Sequence, residues 1–247
     1  MERLEILDAN RRWELHRTIL SKFLNEYFSA WEGKVKILEA GCGEMWNLDL
    51  DRMDYVLTGI DVSRAALETR RLRAGDLDEE ILGDLQTIEL RAATYDVIYC
   101  SYLLEHINGA EEVLQRLFKW LKADGLLVLL IPDRDTVLGL FSRLVPLWGK
   151  VLFYKYVRKD PAAGTPGHVP FPTYYDKIVS RRGIHQFCRS NGHTIVLEYA
   201  DRLNSKRLFG AFYFVWEALC RLIEIASLKK LSSSHISLIY VIRKSPR

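Results

Sequence analysis

Val35-Lys36-Ile37-Leu38-Glu39-Ala40-Gly41-Cys42-Gly43 reads as a buried strand running straight into a glycine turn. A short apolar run that ends in an acidic residue and two glycines is how an α/β sheet brings its backbone close to a nucleotide-like ligand. One Gly-x-Gly turn is weak by itself, because many strand-to-helix turns need glycine for positive φ and bind nothing. Three further runs at fixed distances give it weight. Tyr55-Val56-Leu57-Thr58-Gly59-Ile60-Asp61 is a second strand, and Asp61 stands where an acid accepts hydrogen bonds from both hydroxyls of a ribose. Ile81-Leu82-Gly83-Asp84-Leu85 supplies a third acidic strand end, and Tyr95-Asp96-Val97-Ile98-Tyr99-Cys100-Ser101 a fourth strand.

These motifs resemble those of the class I S-adenosylmethionine-dependent methyltransferases of the broad small-molecule type. The family's acidic-x-Gly-x-Gly-x-Gly motif is matched by Glu39, Gly41 and Gly43, but Met45 stands where its third glycine would be. Asp61 matches the ribose-binding acid and Asp84 the adenine-edge acid. Tyr102-Leu103-Leu104-Glu105-His106-Ile107 matches the signature after the fourth strand, and Leu121-Lys122-Ala123-Asp124-Gly125-Leu126-Leu127-Val128 that of the fifth. The match covers residues 35–132 and is looser over 168–247. The resemblance implies a Rossmann-like, seven-stranded mixed sheet of order 3-2-1-4-5-7-6, its last strand antiparallel, with helices on both faces. It also implies S-adenosylmethionine as cofactor, held by Glu39, Gly41, Cys42, Gly43, Asp61, Val62, Asp84, Leu85 and Ser101. A nicotinamide-dinucleotide domain is the competing reading, and it needs a third glycine to seat a pyrophosphate. Glu44-Met45-Trp46 instead gives a bulky, acidic turn, which suits a cationic sulfonium and repels a pyrophosphate.

Composition agrees with one domain over residues 1–247, long enough to bury a sizeable core. The net charge of +3 and the absence of a basic run interleaved with aromatics argue against nucleic acid. Cys42, Cys100, Cys188 and Cys220 show no metal or disulfide spacing, so reduced, buried thiols are expected. Residues 1–5 lack a charged-then-apolar signal pattern, which makes the cytoplasm the expected compartment.

Apolar residues at helical period over residues 12–31 predict a leading amphipathic helix. Ser63 is the expected N-cap of a helix ending at Arg73, and Asn108 of one through Lys122 that stops at Asp124-Gly125. The sixth and seventh strands are expected at 193–199 and 235–242. Two insertions carry the acceptor question. The first, a lid at about 133–172, has no acid between Thr136 and Lys159, yet holds five cations among aromatic and aliphatic residues. Packing of its apolar face on the core is the ordinary reading, and contact with an anionic membrane surface is the other. The second, at about 201–234, carries Glu217, Arg221 and Glu224 on one narrow helical face, too many charges for a spanning helix. A face against the lid, a homodimer contact and an interfacial helix stay open.

The expected function is methyl transfer to a small or lipid-linked acceptor, at a hydroxyl. The alternative is a non-catalytic scaffold that retains the fold, favoured by Met45 and by the short segment 44–54. Methyl transfer needs a base only where the acceptor atom carries a proton. His106 and His168 are the catalytic candidates, with Tyr174, Tyr175 and Asp133 behind them. Relatives with a Glu-x-x-Glu-His element hold a divalent metal there; Tyr102 takes the first acid's place here, so no metal is expected.

Overall fold

The computed structural model describes residues 4–7, 12–165, 169–202 and 210–246. Eight strands form one sheet: β1 (Glu5–Leu7), β2 (Val35–Ala40), β3 (Tyr55–Asp61), β4 (Glu79–Leu82), β5 (Tyr95–Ser101), β6 (Leu121–Pro132), β7 (Thr194–Asp201) and β8 (Ser237–Arg243). Their order is β1-β7-β8-β6-β5-β2-β3-β4, with β8 antiparallel to both neighbours and the other pairs parallel. Without β1 this is the expected seven-strand order. The extra strand is a correction: Glu5–Leu7 is too short to show alternation, and its partners Tyr199–Asp201 lie at the other end of the chain.

Alternation along β2 shows how the sheet is covered. Val35 and Ile37 face one way and pack with Leu20, Leu24 and Phe28, which repeat every fourth residue along and just beyond α1 (Arg12–Tyr27). Leu38 and Ala40 face the other way, toward Val113, Leu114 and Leu117 of α3 (Ala110–Trp120) and Ile184 and Phe187 of α6 (Arg181–Asn191). Each fully buried leucine contributes about 1.5–3 kcal/mol over an exposed one. Between β3 and β4 in the chain, α2 (Arg64–Arg73) starts at Ser63 as expected, the Ser63 hydroxyl accepting from the Ala66 amide.

The expected cap of α3 is corrected. Gly109, at φ 85°, holds the cap position, and Asp176 Oδ2 accepts from the Gly109 and Ala110 amides at 2.9 Å each. A carboxylate from a distant loop thus does what Asn108 was expected to do. The helix also ends two residues before Lys122, because β6 already begins at Leu121.

The two insertions form α4 (Val137–Leu144), α5 (Leu147–Leu152, continued by a π-turn through Phe153–Val157) and α7 (Tyr213–Ala226). Phe141 of α4 meets Trp216 of α7 at a ring separation of 5.7 Å. None of the residues Leu147–Val157 is buried. Val137 and Gly139 of α4 are buried, so the expectation of a lid packed on the core is corrected for α5 alone.

Candidate functional site

At the carboxyl end of β2 the chain turns through Gly41 (φ 70°) and Gly43 (φ 54°). Gly41 is closed in, since a Cβ there would lie 2.9 Å from Leu103 just beyond β5. Gly43 is different: a Cβ there would meet nothing within 4 Å, so open space lies above the turn. Asp61, closing β3, faces the same turn. Its Oδ2 accepts from the Gly43 amide at 2.9 Å and its Oδ1 from the Ser63 amide at 2.8 Å. Val62 is exposed beside it; Asp84 is exposed at the end of β4, bonded to the Gln86 amide, while Leu85 is buried. Cys42 is buried beneath the turn, and Ser101 is half-buried at the end of β5. Open space over glycine, a strand-end acid and an acidic neighbour in Glu44 fit a ribose and a cationic sulfonium.

Glu39 stands apart from this group. It is buried and paired at 2.6 Å with Arg70, whose side chain is fully buried, and Arg70 also donates to the Cys42 carbonyl at 2.9 Å and to Asp76 at 2.9 and 3.1 Å. Burial pushes Glu39 up and Arg70 opposes it. Burial alone would lower Arg70, but its bonds to Asp76 and Glu39 raise it. With the guanidinium in bonding contact, the pair is ionised. Arg70 therefore pins the glycine turn from below, a role that its place in an arginine-rich helix gave no means of reading.

Next to this turn, across Leu103, lies a cavity of about 550 Å³ at the carboxyl ends of β5 and β6. Its wall is mostly apolar, with Leu138, Phe141 and Val145 from α4 and its end, Phe153 and Tyr154 from the π-turn, and Phe171. Glu105, His106 and Lys150 are its chemically active residues, together with Asp133. Asp133 is spent: Oδ1 accepts from the Asp135 amide and Oδ2 from His235 Nε2 at 2.9 Å. Tyr175 is buried in the cavity wall. His168 lies outside the described residues.

His106 Nδ1 lies 2.6 Å from the Pro172 carbonyl, which can only accept, so Nδ1 carries the proton and Nε2 has a free lone pair. Burial lowers the His106 pKa, the Pro172 bond opposes this, and the Lys150 charge adds to the lowering. The ring is thus neutral at physiological pH. Glu105 Oε1 lies 4.0 Å from Nε2, and Glu105 Oε2 is buried without a hydrogen-bond partner among the described residues. Burial pushes the Glu105 carboxyl up to about 8. Lys150 donates to Thr173 at 2.7 Å and is lowered by burial. Glu105 was read from the sequence only as half of a metal motif, and among the described residues no three His, Cys, Asp or Glu side chains group to hold a metal ion.

Over residues 12–231 the chain matches the family model described as a methyltransferase domain. The chain belongs to the class I S-adenosylmethionine-dependent methyltransferases. Solved structures of S-adenosylmethionine-dependent methyltransferases share the fold at low identity. One from Methanosarcina mazei has a TM-score of 0.56 at 14% identity, over 98% of this chain and 100% of that one. One from Archaeoglobus fulgidus has 0.50 at 15%, over 92% and 94%. In sequence, this methyltransferase is 30% identical to the mitochondrial ubiquinone biosynthesis O-methyltransferase of Schizosaccharomyces pombe, over 56% of each protein. It is 29% identical to the ubiquinone biosynthesis O-methyltransferase of Salmonella paratyphi A, over 47% of this chain and 54% of that protein. The methyltransferase spans about half the length of the curated relatives it matches.

The buried Glu105 gives a pH signature in stability. The folded protein holds this proton more tightly than an unfolded chain, where the ordinary value is 4.5, so the stabilisation is full below 4.5 and is lost as pH rises toward about 8. The slope reaches about 1.4 kcal/mol per pH unit. Urea midpoints at about pH 5 and about pH 8 should diverge in the wild type and draw together in Glu105→Gln. Equal divergence in the two proteins would remove Glu105 as the source.

Proposed function

We propose that this methyltransferase transfers a methyl group to a hydroxyl of a small or lipid-linked apolar acceptor, with His106 taking the hydroxyl proton. The observation that carries the reading is the neutral imidazole presenting a free Nε2 in an apolar cavity next to the glycine turn. S-adenosylmethionine, when bound, supplies an electrophilic methyl group on a sulfonium. Asp61 would hold the ribose, Gly41 and Gly43 would let the backbone approach, and Val62, Asp84, Leu85 and Ser101 would border the adenine and methionine parts. Glu39 would act through Arg70 by fixing the turn's shape.

On the acceptor side, the apolar wall strips water from the hydroxyl and orients the ring or chain that bears it. As the oxygen gains its methyl group, the O–H bond gives its electrons to that oxygen and His106 Nε2 receives the proton. The Lys150 ammonium favours negative charge on the acceptor oxygen before transfer. Glu105, 4.0 Å from the same nitrogen, stabilises the imidazolium once its carboxyl is ionised. The O-methyltransferase names of the matched relatives support the hydroxyl, and the size and wall of the cavity support an apolar acceptor.

Methyl-labelled cofactor incubated with lipid and aqueous cell-extract fractions tests the reading. Label should enter a lipid-fraction phenol or alcohol, and label in neither fraction would overturn it. Asp61→Ala should weaken cofactor binding by about 1.5–3 kcal/mol for each charge-assisted bond lost. Calorimetric titration measures this directly. An unchanged dissociation constant in a folded variant would remove Asp61 from the site, and no cofactor binding by the wild type would favour the scaffold alternative.

A further inference from the structure

Helix α7 leaves most of its apolar side chains uncovered. Of its fourteen residues only Cys220 is buried, while Phe214, Leu222 and Ile225 are 60%, 64% and 67% exposed. Of its charges, Glu224 is half-buried and accepts from the Ser233 hydroxyl at 2.6 Å, while Glu217 and Arg221 are exposed at the edge of a small cavity with Trp216 and His235. Exposed aromatic side chains continue on α5, where Trp148 and Tyr156 are 69% and 74% exposed. The two helices are linked through α4, which is bent 110° from α5 and meets α7 where Phe141 lies against Trp216. Apolar surface this extensive on a globular fold marks an interaction site.

We infer that this face docks on an anionic lipid bilayer and delivers the acceptor from it to the cavity. Charge complementarity selects the occupant. Lys155, Lys159, Lys229 and Lys230 are exposed on or just beyond α5 and α7, and the lid from Thr136 to Lys159 has no acid. Apolar side chains rimmed by lysines suit the boundary between acyl chains and acidic headgroups. A second copy on the same face would bring lysine against lysine. Among the described residues no single helix is long and apolar enough to cross a membrane, though α4 and α5 together reach that length and composition across their 110° bend. The face is continuous with the cavity, since Phe153 and Tyr154 line it from the same helical segment that carries Trp148 and Tyr156. A lipid-linked acceptor would enter without crossing water. This delivery role rests on the acceptor reading above; the docking itself does not.

Co-sedimentation of the full chain with vesicles tests the docking, without cofactor or acceptor. The protein should pellet with phosphatidylcholine–phosphatidylglycerol vesicles and far less with phosphatidylcholine alone. Trp148→Ser/Phe214→Ser/Ile225→Ser should weaken binding about tenfold or more, and Lys155→Glu/Lys159→Glu should abolish the preference for phosphatidylglycerol. No pelleting with anionic vesicles, or pelleting unchanged in the triple variant, would overturn the inference. So would a vesicle-free dimer in sedimentation velocity that the triple variant dissolves, which would give the face to a second copy. Methylation of a short-chain, water-soluble phenol in vesicle-free buffer separates the two claims. Its persistence in a triple variant that no longer binds vesicles leaves the chemistry standing whatever the vesicles show, and its absence in a wild type that does pellet sinks only the acceptor reading.

Discussion

Replacing His106 with asparagine lowers turnover by about 10²–10⁴-fold, the usual contribution of a positioned base, and leaves the affinity for S-adenosylmethionine nearly unchanged. The split comes from geometry. His106 lines the acceptor cavity and is held by the Pro172 carbonyl, whereas the residues expected to hold the cofactor lie at the ends of β2, β3, β4 and β5. A base must be neutral to act, and burial lowers the His106 pKa, so wild-type activity should fall only below the ordinary histidine range of about 6.5. The acid limb of the pH profile should vanish from the residual rate of the variant. Equal losses in turnover and cofactor affinity would return His106 to bracing the loop at Pro172.

Arg70→Met should cost about 3–5 kcal/mol of stability, the range for removing one partner from a buried ion pair. The guanidinium answers Glu39, Asp76 and the Cys42 carbonyl together, and methionine answers none of them. Glu39 would then have to take up a proton to stay buried, because desolvation already presses its pKa upward. Urea unfolding measures the loss. Adding Glu39→Leu should recover much of it, since a well-packed apolar pair of similar volume often matches a buried ion pair. A single variant within about 1 kcal/mol of wild type would mean that the turn does not depend on Arg70. Cofactor affinity should fall along with stability in Arg70→Met, as the Cys42 carbonyl loses its anchor.

The order of the strands and the antiparallel last one were implied by the family resemblance, while the seven main strands, the helix from Ser63 to Arg73 and the glycine turn facing Asp61 were legible in the chain itself. Each depends on contiguous residues: an apolar run of strand length, a cap one residue before its helix, glycines where φ must be positive. What tertiary structure alone decided involves partners that are far apart. Arg70 reaches Glu39 and Cys42 across about thirty residues, Asp176 caps α3 from 66 residues away, and Pro172 sets the tautomer of His106 from a loop 66 residues beyond it. Periodicity carries no information about such pairs, because the energy that selects them is the cost of leaving a buried charge or amide unanswered. The insertions show the same limit from the other side. The pattern of α7 revealed a narrow charged face but not how little of the helix packs: only Cys220 is buried, Glu224 is held by Ser233, and phenylalanine and leucine face out.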